Sequence, residues 1–169
     1  MRAIRIRTAR LEDAVALVGF NSAMALETEG KRLLPRVIGA GVRSLLRSPE
    51  TGFYLLAETK KEIVAALMIT QEWSDWRNGT FWWIQSVYVR PEFRRRGVYR
   101  RLYRRVRAMA ARDRRVCGFR LYVERENRRA QKTYRALGMQ GTRYRVFEAL
   151  KPAIRFFTPA RPRRRTPAS

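Results

Sequence analysis

From Phe81 to Leu102 the chain reads FWWIQSVYVRPEFRRRGVYRRL. Phe81 to Val89 is aromatic and β-branched and apolar on both faces, the pattern of a strand covered on both sides. Arg90-Pro91 ends that run, because proline offers no N–H to a ladder and restricts the residue before it. The strand then passes through Arg94-Arg95-Arg96-Gly97 into an amphipathic helical pattern. A strand that feeds a glycine turn into a helix N-terminus makes an anion cradle. Its first-turn N–H groups have no intrahelical partners, and the helix dipole places partial positive charge there. Gly97 lets the backbone approach a ligand closely and take dihedrals other residues avoid. Arg94, Arg95 and Arg96 add fixed charge, so a polyphosphate is the natural guest.

Working outward, the chain alternates between strand and helix. Ile4 to Arg7 reads as a short strand, and Leu11-Glu-Asp13 begins a helix whose stripe is Ala14, Val15, Val18, Ala23, Met24 and Leu26. A second helix, about Leu33 to Leu46, stops at Ser48-Pro49. Gly52 to Ala57 and Ile63 to Gln71 form a hairpin about Thr59-Lys-Lys-Glu62, and Trp73 to Gly79 is the next connection, ending in an Asn-Gly turn signal. Downstream, the helix from Val98 to Ala111 carries Val98, Leu102, Val106 and Met109 on one face. Cys117 or Gly118 to Val123 reads as a strand, Arg128 to Leu137 as a helix capped by Gly138, and Thr142 to Leu150 as the strand that closes the sheet. The order β-α-α-β-β-β-α-β-α-β predicts one α/β domain over residues 1–150. The basic, Pro- and Arg-rich tail, 151–169, is expected to be mobile.

Composition narrows the chemistry. A chain of 169 residues with 46% hydrophobic content can fill one core. No apolar run approaches the ~20 residues that span a bilayer, and no secretory core opens the chain, so no membrane partner and a cytoplasmic setting are expected. Cys117 is the lone cysteine and histidine is absent. Metal sites built from those ligands and histidine acid–base chemistry are therefore excluded, and no metal is expected. The net charge of +24 is carried by 33 arginines and five lysines. These arginines are spread along most of the chain with no nucleic-acid motif beside them. A solvated arginine-rich surface is thus preferred to a nucleic-acid interface. A homodimer is left open.

The segment VRPEFRRRGVYRRL resembles the acetyl-CoA-binding motif of the GCN5-related N-acetyltransferases (GNAT), Gln/Arg-x-x-Gly-x-Gly/Ala between a strand and a helix. Arg94 and Gly97 stand at its first two positions, and Tyr99 at the third, where Gly or Ala is usual. A second stretch, FRLYVEREN from Phe119 to Asn127 followed by Ala130, Tyr134 and Leu137-Gly-Met139, is similar to the family's second half. The resemblance covers about Ile4 to Glu148. It implies the N-acyltransferase fold, a mixed sheet splayed at the cofactor-binding strand with helices on both faces, and acetyl-CoA as co-substrate. By position, Val87, Tyr88 and Val89 would pair with the pantetheine arm. Arg94 to Arg100, including Val98 and Tyr99, would hold the pyrophosphate, and Asn127 would touch the cofactor arm as well as cap a helix. Tyr134 would protonate the departing thiolate.

The implied reaction is acetyl transfer to a primary amine by direct attack. It needs a base, because an ammonium of pKa ~10 is no nucleophile. Acids number 14, so those expected near the cleft stand out. Glu27 and Glu29 end the first helix, while Glu72 and Asp75 lie with Trp73 and Trp76 in QEWSDWRNG, a setting suited to a cationic small-molecule or peptide amine. Glu72 or Glu27 would take the amine proton directly or through water, and Gln85 would orient substrate or water. The rival readings are a CoA-binding regulator without catalysis, kept alive by Tyr99, and a basic nucleic-acid-binding module.

Overall fold

Two buried faces, made by strand alternation, organise the protein. The computed structural model describes residues 4–159. Strands β3 (Gly52–Glu58) and β4 (Ile63–Ser74) form the expected hairpin. Its turn is closed by Thr59, whose N–H donates to the Glu62 carbonyl at 2.9 Å and whose hydroxyl accepts from Lys61 and Glu62 N–H. β1 (Arg5–Thr8) adds antiparallel to β3, β5 (Gly79–Val89) antiparallel to β4, and β6 (Val116–Arg120) parallel to β5, giving the order β1-β3-β4-β5-β6. Leu55, Leu67, Ile69, Trp82 and Ile84 point to one face, where α3 (Val98–Ala110) packs Leu102 and Val106 with no exposure. Tyr54, Leu56 and Ala66 point to the other, against Leu17 of α1 (Ala14–Glu29) and Val42 of α2 (Pro35–Arg47). Truncating Leu102 to alanine in such a site costs about 2–5 kcal/mol.

Several boundaries and three elements differ from the sequence reading. α1 is buried along Ala14, Leu17, Asn21 and Ala25, whereas Val15 is 85% exposed. The segment AVALVGFNSAMAL is apolar on most sides, so its periodicity pointed nowhere, and contact with α2 and the sheet selects the buried line. A short strand, β2 (Lys31–Leu33), precedes α2. β6 ends at Arg120, not Val123. α4 (Arg128–Ala136) follows as expected, with Gly138 at φ 87° just past its end.

Thr142 to Leu150 forms no strand. Tyr144, Val146 and Phe147 are exposed there, because alternation defines two faces but a strand also needs an edge to pair with, and no described strand runs alongside. Pairing occurs further on instead: β7 (Phe157–Pro159), inside the segment expected to be mobile, lies antiparallel to β2. Lys31 Nζ sits 4.9 Å from the centre of the Phe157 ring and fastens that pair. The rest of the tail, 160–169, lies outside the described residues.

Candidate active site

β5 and β6 part company halfway along. Their ladder runs from Thr80 to Trp83, opposite Arg120, and from Ile84 to Val89 that side of β5 has no strand neighbour among the described residues. On the other side Ala66 opposes Tyr88 while Met68 opposes Gln85, so Ser86 and Val87 bulge against Leu67. Ser86 is held at φ 47°, a left-handed conformation that costs a non-glycine residue free energy. A bulge adds a residue to one strand and re-aims those beyond it. Val87 and Val89 thereby join the α3-side core, and Tyr88 turns to the α1 side, its ring 5.2 Å from Phe20.

The loop after β5 closes through the Arg90 N–H, which donates to the Val64 carbonyl at 3.0 Å, and through a turn at Pro91–Phe93. Arg95 (φ 62°) and Gly97 (φ 73°) both take left-handed conformations, and α3 starts directly afterwards. Such alternation turns successive N–H groups inward as an anion nest. A Cβ on Gly97 would meet nothing within 4 Å, so glycine is required there by backbone conformation and not by crowding. Arg94 reaches back: its Nε donates to the Val89 carbonyl at 2.8 Å and its Nη2 to Glu27 Oε2 at 2.6 Å. The Tyr88 hydroxyl donates to Glu27 Oε1 at 3.0 Å. Its pKa is raised first by burial and then by the Glu27 carboxylate. Arg95, Arg96 and Arg100 are exposed, and Val98 is buried.

Asn127 caps α4, its Oδ1 accepting the Ala130 N–H at 3.0 Å. Tyr134, on the same helix, meets Tyr99 edge to face at 5.7 Å between ring centres. Burial raises the Tyr134 pKa, which keeps the phenol protonated at neutral pH. The Tyr99 hydroxyl is buried with no partner among the described residues. Its pKa is pushed up by burial, then by Tyr134 and Tyr103. The Tyr99 ring thus lies between α3 and α4 and packs against the core.

Beyond the helices, the α1 side of the sheet carries a polar and aromatic patch from three strands. Glu72 accepts from both the Trp83 indole N–H and the Arg120 guanidinium. Gln85 Nε2 donates to Thr70 Oγ1 at 2.5 Å, and the Tyr122 hydroxyl lies 3.5 Å from Gln85 Oε1. Trp83 and Tyr122 have ring centres 4.8 Å apart. The structure thus brings Glu72 and Gln85 together beside the split strands. The proposed free carboxylates are not free: Glu72 is paired with Arg120, Glu27 with Arg94, and Glu29 with Lys31 at 2.6 Å. Asp75 Oδ1 accepts the Trp76 N–H of its own turn. Trp73 and Trp76 project into solvent, 61% and 85% exposed. Arg120, Trp83, Tyr122 and Thr70 escaped the sequence reading. Residues two apart on each strand share a face, but only the register shows that Glu72, Trp83 and Arg120 share one place.

Comparison with known proteins agrees with this architecture. The family model of the Acetyltransferase (GNAT) family matches residues 20–139. A possible acetyltransferase from Clostridium difficile 630 superposes with TM-score 0.81 at 42% identity, over 88% of this chain and 97% of that one. The chain belongs to the GNAT acetyltransferase family. A predicted acetyltransferase with acetyl-CoA from Clostridium acetobutylicum shares the fold at 17% identity (TM-score 0.73, 87% and 96% covered). So does the aminoglycoside N-acetyltransferase AAC(6')-Iy, solved with a bisubstrate CoA analogue (16%, TM-score 0.71, 88% and 99% covered). No curated protein matches the chain.

Proposed function

We propose that the protein transfers the acetyl group of acetyl-CoA to a primary amine by direct attack in a ternary complex. The carrying observation is the continuity of the edge of β5, Ile84 to Val89, unpaired among the described residues, with the left-handed loop at Arg95–Gly97 and the start of α3. An amide-bearing arm can add to such an edge as a strand does, while its phosphates reach the nest and the exposed Arg95, Arg96 and Arg100. The acetyl-CoA of a fold relative supports the assignment.

The residues divide the chemistry. Holding amine and thioester in line supplies much of the acceleration. A backbone N–H in the Gln85–Val89 segment polarises the thioester carbonyl. The amine nitrogen bonds to the acetyl carbon, and the C–S bond breaks. The thiolate takes the proton of Tyr134, and the amine's proton passes to Glu72 directly or through water. The sequence reading's other base, Glu27, is engaged by Arg94 and the Tyr88 hydroxyl, so the proton is assigned to Glu72.

Release of CoA thiol from acetyl-CoA across a panel of amines tests this reading. Amine-dependent release is expected; acetyl-CoA bound tightly but consumed with no amine in the panel would favour a CoA-binding regulator.

A further inference from the structure

Three of the carboxylates expected to attract a cationic amine, Glu27, Glu29 and Glu72, are spent on cations, which asks what the patch at Glu72 does recognise. Resting on the reading above, we propose that the acceptor is an amine that also carries a carboxylate, an amino-acid-like zwitterion. Its ammonium would go to Glu72 and its carboxylate to Arg120 and Arg77.

Three observations carry this. First, the Glu72–Arg120 pair is only partly covered, with side chains 38% and 35% exposed. A ligand of complementary charges can replace each half of such a pair without leaving either charge bare, whereas a simple cation would strand Arg120. Second, Arg120 is pre-oriented. Its guanidinium lies 3.9 Å from the centre of the buried Phe81 ring, held there by cation–π contact. Phe81 in turn fills the space beside Gly118, where a Cβ would come within 2.8 Å of the ring. Third, cations outnumber carboxylates here. Arg77 lies 5.1 Å from the same ring, and its side chain contacts Ser74 Oγ at 3.5 Å, with no carboxylate in reach among the described residues. Arg77 thus brings to the Phe81 ring a second guanidinium with no ion-pair partner among the described residues, which favours an anion beside an ammonium. Taking up the substrate's carboxylate also draws Arg120 off Glu72 and leaves that carboxylate to the ammonium. The aromatic walls, Trp83 and Tyr122, would line the acceptor's side chain.

Phenylalanine, phenylalaninamide and phenethylamine isolate the carboxylate. Each would be measured as acceptor in CoA-thiol release and, separately, as ligand by calorimetry, with the wild type, Arg120→Gln and Arg77→Gln. We expect the free acid to exceed its amide by about ten- to a hundredfold in both readouts, the size of a charge-assisted contact. Arg120→Gln should bring that ratio near one and Arg77→Gln should lower it in part. An amide or plain amine that matches the acid, or a preference that survives Arg120→Gln, overturns the inference while leaving acetyl transfer standing. Preferential binding of the acid without any thiol release would instead support the site and remove the transfer reaction.

Discussion

Arg94 Nη2 and Glu27 Oε2 stand 2.6 Å apart, joining the loop before α3 to the last turn of α1. Because Arg94 Nε is also held by the Val89 carbonyl, its orientation does not depend on Glu27 alone. Glu27→Gln therefore removes a negative charge beside the proposed phosphate site and leaves the arginine in place. Acetyl-CoA should bind more tightly, by about 1 kcal/mol or roughly fivefold. Calorimetric titration of the variant checks this, and weaker binding would show that Glu27 serves to pre-organise Arg94.

Gly97 separates conformation from charge. Alanine has room there but must adopt φ 73°, so Gly97→Ala should cost about 1–2 kcal/mol of stability and weaken acetyl-CoA binding only modestly. Gly97→Glu carries the same strain and adds a carboxylate facing the pyrophosphate, and it should bind no acetyl-CoA. A folded Gly97→Glu protein with wild-type affinity would move the phosphates elsewhere.

Tyr134→Phe keeps the ring against Tyr99 and removes the proton donor. Turnover should fall by about 10²–10⁴-fold with acetyl-CoA affinity nearly unchanged, the range for losing a general acid. Undiminished turnover would leave Tyr134 a packing residue.

Stability should carry a pH signature at the far edge of the sheet. The Arg7 guanidinium, donating to Asp13 at 2.7 and 2.8 Å, holds that buried carboxyl below the usual aspartate range. A lowered folded-state pKa gives stability that is present above the unfolded value near 3.8 and is lost as pH falls through the folded one. Asp13→Asn should therefore cost about 2 kcal/mol at pH 7, and the gap to wild type should close as the solution is acidified below pH 4. Parallel denaturation curves of constant separation down to pH 2 would rule the pair out as a source of acid sensitivity.

Much of this architecture was legible in the sequence, and the losses have physical causes. The Phe81–Leu102 stretch announces its own strand, stop, turn and helix because each step is a local rule: covered strand, proline, glycine, amphipathic face. Pairing is not local. Nothing within Thr142–Leu150 states that it lacks an edge to join, and nothing within Lys31–Leu33 states that Phe157–Pro159 will meet it. The same limit governs the site. Glu72 and Glu27 could be named as acids near a cleft, but their neutralisation by Arg120 and Arg94 depends on contacts 48 and 67 residues distant in the chain. A lone φ of 47° at Ser86, which lets β5 bulge beside the split, has no sequence marker at all.

Calorimetric titration of the full chain with acetyl-CoA, paired with the same titration of Gly97→Glu, decides whether the loop before α3 holds the cofactor. Saturable one-to-one binding to the wild type and a matching rise in melting temperature are expected, with neither effect in the variant. Absence of binding at millimolar acetyl-CoA, or equal binding by both proteins, would contradict that assignment.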